Sequence, residues 1–277
     1  MRPVTDKNDY EDPICPFDVD KYKDEPPVHS IDAQRVIDKL EEYYDKNDYE
    51  GAERHIKYWM QEAENGRDRR GMLVMVNEFM GLYRKTDRRE DGVYYARRGV
   101  DMIDELGLGD SVTAGTTYIN AATVYKEFGM LNESVELFEK ARALYEKHLD
   151  PYDPRMGGLN NNMGITLAGL ERYDEAFACY EKALDIMGRK EHGALEQAVT
   201  YLNMAEAVLG RDGAIEGADE IDKYLDEAQR LLELDELPRD GYYAYVCEKS
   251  APTFGYFGRF LYKNELLKRA EAIYEGT

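Results

Sequence analysis

Residues 116–185 read TTYIN AATVYKEFGM LNESVELFEK ARALYEKHLD PYDPRMGGLN NNMGITLAGL ERYDEAFACY EKALD, and one helical hairpin is written there twice. Asn120, Ala122, Tyr125, Ser134, Phe138 and Ala141 fall over Asn162, Gly164, Leu167, Ala176, Tyr180 and Ala183, each pair 42 residues apart. Within each copy, small residues stand twelve apart on two successive amphipathic segments, each with a large apolar residue three or four positions away. Two helices with that pattern approach closely and interlock. A single pair cannot bury its own apolar face, so it must stack on another, and the chain reads as an all-α solenoid.

The period extends in both directions. The residues that open each second helix are Ala52, Gly92, Ser134, Ala176, Ile221 and Leu266, with steps of 40, 42, 42, 45 and 45. About six stacked antiparallel hairpins are therefore expected, forming one repeat domain over residues 30–277. Asn47-Asp48 turns the chain inside the first hairpin (about 31–64) and Asn65-Gly66 closes it. The second hairpin covers roughly 68–106 and ends at Gly107 and Gly109, with Asp110 or Ser111 as the next cap. Asp150-Pro151 stops a helix and Asp153-Pro154 starts one. The fifth hairpin starts near Gly193 and breaks across Gly210, Gly213 and Gly217. The sixth, about 240–275, has Pro252 inside its first helix, read as a kink. Lys263, Glu265, Lys268, Arg269, Glu271 and Glu275 are expected to give that last hairpin a polar outer face.

The run from Asn161 to Leu184, with Gly164 on the first helix and Tyr173, Ala176, Tyr180 and Ala183 on the second, resembles tetratricopeptide repeats. It is the longer-period variety found in kinesin light chains and their bacterial relatives. The usual first-helix Trp is missing, since the single Trp, Trp59, lies in a second helix. The resemblance implies a right-handed superhelix whose first helices line a concave surface, and a binding role rather than an enzymatic one.

Composition narrows the partner. The 36 Lys plus Arg against 57 Asp plus Glu leave a net charge of -21, which repels phosphate backbones and anionic lipid headgroups. Nucleic acid and membrane surfaces are therefore excluded as partners. No stretch reaches the roughly 18–20 apolar residues of a membrane helix, and the first 30 residues lack a signal-peptide core. A cytoplasmic protein, bacterial by its resemblance, is expected. Cys15, Cys179 and Cys247 form no close pair and read as structural thiols, while the four histidines are scattered, so neither a metal site nor a cofactor is expected. Nor does the chain show a nucleophile with its base or a glycine-rich phosphate loop.

Residues 1–29 hold five prolines among charged residues and read as an extended arm, with one apolar island from Ile14 to Val19. Either that island is solvated or it packs on the body. The candidate binding residues are Asn77, Asn120, Asn162 and Asn203, spaced 43, 42 and 41 on four consecutive first helices, with Asn161 on the same surface. Asn is a middling helix former, and a carboxamide can hold both the C=O and N–H of an extended peptide. The resemblance supports that use, because Asn at this first-helix position contacts bound backbone in several relatives. The alternative is that these amides bond neighbouring helices or face water. Glu41, Glu78 and Glu206 stand where a carboxylate clamp would want cations, with Arg84 and Lys126 nearer the helix ends, so a basic or neutral extended segment is favoured over an acidic tail. Tyr118, Tyr125 and Tyr201 read as packing between helices. A scaffold or adaptor that captures a peptide is the leading reading. A peptide-sensing signalling receptor without a DNA-binding module, or a self-assembling structural protein with the N-terminal arm of one chain in its own groove or a neighbour's, are the others.

Overall fold

The computed structural model describes residues 26–191 and 193–275. Cys15, His192 and the Ile14–Val19 island lie outside that set. The described chain is all helix: α1 (Ala33–Asp45), α2 (Tyr49–Asn65), α3 (Arg69–Lys85), α4 (Arg89–Glu105), α5 (Val112–Glu127), α6 (Leu131–His148), α7 (Pro154–Gly169), α8 (Tyr173–Gly188), α9 (Ala194–Glu216), α10 (Ala218–Leu232), α11 (Gly241–Tyr256) and α12 (Phe260–Glu275). Two compact units hold them, Met1–Phe128 with α1–α5 and Gly129–Thr277 with α6–α12.

Capping sets the boundaries. Asp48, Asp68, Ser111, Asp153 and Asp240 each accept a backbone N–H of the helix that follows, satisfying a donor the helix itself leaves open. Of Asp110 and Ser111, it is Ser111 that caps α5, and Pro154 takes the first-turn position of α7. Asp68 also anchors the chain before α1. Its other oxygen accepts the Ile31 N–H at 2.9 Å, while the Gly66 carbonyl accepts from Val28 at 2.8 Å. Residues 28–31 are thus strapped over the turn between α2 and α3. That turn, and those after α1, α3 and α7, pass through left-handed backbone at Arg67, Asn47, Asp87 and Glu171.

Inside each unit, the first helix of a hairpin packs on its second: α1 on α2, α3 on α4, α7 on α8, α9 on α10 and α11 on α12. All six residues expected to open second helices are buried, from Ala52 through Gly92, Ser134, Ala176 and Ile221 to Leu266. Neighbouring first helices also approach one another, α3 with α5, α7 with α9 and α9 with α11. Second helices within a unit stay further apart, so each unit curves toward its row of first helices.

Two expectations need adjusting. α9 does not stop at Gly210; it runs on to a break at Gly213 (φ 84°), and Gly217 starts α10. The outer face of the last hairpin is not polar throughout. Arg269 turns inward to Glu233 and the Tyr243 hydroxyl, and Phe260, Leu261, Leu267 and Tyr274 lie exposed among the charged residues. Pro252 sits inside α11, which runs through it.

Gly164 is the tightest point of the α7–α8 pair. A β-carbon there would stand 2.5, 2.7 and 2.9 Å from three ring atoms of Tyr180, whose side chain is 1% exposed. Alanine gains about 1 kcal/mol of helix propensity over glycine, but overpacking a rigid core typically costs about 1–3 kcal/mol. Gly164→Ala should therefore lower stability in chemical denaturation, and Tyr180→Leu in the same chain should recover part of the loss. A Gly164→Ala protein more stable than the parent would contradict this packing.

Candidate functional site

The asparagines sit midway along the first helices, each half-buried: Asn77 on α3, Asn120 on α5, Asn161 and Asn162 on α7, and Asn203 on α9. They join neighbouring helices in pairs. Asn120 Nδ2 donates to Asn77 Oδ1 at 2.7 Å in the first unit, and Asn203 Nδ2 donates to Asn161 Oδ1 at 2.9 Å in the second. Asn77 Nδ2 is engaged by the Leu73 carbonyl (2.9 Å) and the Thr117 hydroxyl (3.2 Å). Asn162, which the repeat spacing places opposite Asn203, instead donates to the Gly158 carbonyl of its own helix at 3.0 Å.

The sequence therefore finds the helices and the level but not the pairing partner on α7. One residue is about 100° of rotation around a helix, so a one-position offset decides whether an amide faces its neighbour or the solvent side. These bonds show that the amides hold first helices together. They still leave capacity, because Asn120 and Asn203 keep their Oδ1 acceptors and Asn161 its Nδ2 donor outside the pair bonds. A third bridge went unpredicted: Thr253 Oγ1 of α11 donates to Glu206 Oε1 of α9 at 2.9 Å.

Charge divides differently in the two units. In the first, Arg84 and Lys126 occupy equivalent positions near the ends of α3 and α5, and burial together with the Arg84 charge pulls the Lys126 ammonium down to about 8. Lys85 Nζ lies 4.0 Å from the centre of the Tyr44 ring. In the second unit the row carries Glu196 and Glu206, and burial with Glu196 close by raises the Tyr242 hydroxyl to about 12. Tyr118 and Tyr125 are buried, and Tyr201 stacks on Tyr224 of α10 with centroids 6.0 Å apart, so these tyrosines pack helices as expected.

Asn160 also escaped notice, although it begins the Asn160–Asn162 run. Its side chain is 2% exposed; Nδ2 donates to the Met156 carbonyl at 2.7 Å, while Oδ1 has no hydrogen-bond partner. It lines a cavity of about 270 Å³ with Tyr145, Tyr152, Lys182 and Ile186. Cys179 and Cys247 are buried, and burial pushes both thiols up, away from the reactive thiolate form.

Comparison with known proteins finds similarity over the middle of the chain and in the fold. Residues 115–154 and 155–223 match two models described as tetratricopeptide repeat. Two solved structures share the fold. One is a Podosopora anserina putative kinesin light chain with nearly identical TPR-like repeats, at 16% identity and TM-score 0.52, covering 73% of this chain and 94% of that one. The other is BtubC (BKLC) from P. vanneervenii, at 15% identity and TM-score 0.53, covering 84% and 91%. Among curated proteins, none matches the sequence. Tetratricopeptide repeats are in general scaffolds for protein–protein interaction, and no helix of the described residues is long and apolar enough to cross a membrane.

Two substitutions test the electrostatics and packing of the repeat. Burial raises the Glu78 carboxyl above its ordinary 4.5, only partly countered by Lys85 and reinforced by Glu41. An acid whose folded value is raised is a liability above that value and harmless below its unfolded one. Glu78→Gln should therefore be more stable than the parent at pH 7, with the advantage shrinking as pH falls toward 4.5 and gone below it; denaturant titrations at several pH values read it, and a pH-independent difference would refute the cause. An unpaired buried acceptor costs about 1–3 kcal/mol, so Asn160→Leu should raise the melting temperature. A clear fall would show that Oδ1 has a bound donor in solution.

Proposed function

We propose that the row of first helices within a unit holds an extended segment of a partner protein, gripped along its backbone by that unit's asparagine pair. The observation that carries this reading is the pairing itself. Each pair fixes two carboxamides in one orientation and leaves an acceptor (Asn120, Asn203) or a donor (Asn161) for a ligand. Amides already held by a neighbour lose little further side-chain entropy on binding, which favours capture of an otherwise flexible segment. Asn162 and Asn77 support the row from its sides rather than as primary contacts. The protein then acts as a scaffold or adaptor, without catalysis.

Partner chemistry follows the lining. The Glu196 and Glu206 carboxylates favour a neutral or basic stretch along α9 and α11, whereas Arg84 and Lys126 at the ends of α3 and α5 suit a polar or acidic group there. Backbone recognition makes affinity tolerant of sequence, with these charges setting preference.

Selection of a displayed library of twelve-residue peptides on the intact chain tests the reading directly. Enriched peptides should bind the Asn120→Ala/Asn203→Ala protein at least about tenfold more weakly, a loss of about 1.4 kcal/mol. They should bind a variant altered on an exposed second-helix residue, Glu139→Ala, as well as the parent. The asparagine variant should melt only a few degrees lower, since each lost pair bond contributes about 0.5–1.5 kcal/mol. Equal binding by all three proteins would remove the asparagines from the site.

A further inference from the structure

In the second unit, equivalent second-helix positions recur every 45 residues: Phe177, Asp222 and Leu267 form one set, Leu184, Gln229 and Tyr274 another. On α8 and α10 these positions are engaged by the hairpin that follows. Phe177 lies 6.4 Å from Tyr224, ring centre to ring centre, and the Leu184 carbonyl accepts from Gln197 at 3.0 Å. Asp222 and its neighbour Asp226 receive the Arg259 guanidinium at 3.2 and 2.7 Å. On α12 the same face is bare. Phe260, Leu267 and Tyr274 are 63%, 38% and 55% exposed, and their seven-residue spacing puts them in one strip. Beside the strip, α11 adds exposed Tyr245 and Tyr256, and the Tyr274 hydroxyl donates to Glu248 of α11 at 3.4 Å.

We propose that this end face is where a second copy of the chain docks, α12 against α12, antiparallel about a two-fold axis. A two-fold contact requires a surface complementary to itself. The strip meets that requirement. With Leu267 on the axis, Phe260 of one copy faces Tyr274 of the other, and Lys263 faces Glu271, because both pairs are symmetric about position 267. Apolar contact sits at the centre with opposite charges flanking it. Head-to-tail stacking lacks such a fit, since the exposed residues of α1 are Gln34, Arg35, Asp38, Lys39, Glu41 and Glu42. This inference is independent of the peptide reading and concerns a different face.

Each copy carries a net charge of -21, so long-range repulsion opposes the dimer and added salt screens it. Sedimentation of the full chain across a concentration and NaCl series should give twice the 32.0 kDa chain mass, with the dimer fraction rising with salt. Leu267→Glu should weaken association at least about tenfold, while Ile215→Glu, at another exposed apolar residue, should not. Lys263→Glu should weaken the dimer and Lys263→Glu with Glu271→Lys should restore it, which fixes the antiparallel register; circular dichroism confirms that each variant is folded. A monomer throughout, a dimer indifferent to Leu267→Glu, or a charge-swapped protein no better than Lys263→Glu would each overturn the proposal.

Discussion

Helices in this protein stand as close together as their smallest side chains permit, and the remaining architecture follows from that approach. Gly164 of α7 against Tyr180 of α8 is the clearest case, and Ala52, Gly92, Ser134 and Ala176 are buried near the starts of α2, α4, α6 and α8. Dispersion and apolar burial both grow as the gap closes, and interiors tolerate neither voids nor overlap. The hairpins are therefore rigid wedges. Because first helices within a unit lie nearer to one another than second helices do, stacking the wedges bends each unit toward one row.

That row is where polar side chains find partners. Amides that would cost helix propensity on a lone helix instead meet across the gap, Asn120 to Asn77 and Asn203 to Asn161, and Thr253 meets Glu206 in the same manner. A scaffold bond and a binding surface are thus not competing explanations of these residues. A carboxamide has more hydrogen-bonding capacity than one neighbour can use, and the surplus on Asn120, Asn161 and Asn203 is what a ligand can engage. The opposite charges in the two units, Lys126 and Arg84 in one and Glu196 and Glu206 in the other, would give each row its own selectivity.

Much of this could be read from the chain. Small or apolar residues recurring at steps of 40 to 45 locate the second helices, and the turn and cap signals at Asn47-Asp48, Gly107 and Asp153-Pro154 place the boundaries, because both depend on local residue chemistry. Rotation about a helix axis is not local. Hence Asn162 was matched to Asn203 by counting, whereas the bond goes to Asn161, and the orphaned oxygen of Asn160 was invisible until its surroundings were known. The polar end face expected of the last hairpin failed for a similar reason: Arg269 is charged, yet it is drawn inward by Glu233 and Tyr243, leaving Phe260, Leu267 and Tyr274 outside.

A ligand is expected to lie along the first helices. Photo-crosslinking decides this most directly: a benzophenone amino acid placed at Thr123 on α5 or Ile165 on α7, and at Arg97 on α4 or Glu139 on α6, is irradiated with a selected peptide bound. Adducts from Thr123 and Ile165, with none from Arg97 or Glu139, are the predicted result. Adducts from the second-helix positions alone would contradict it.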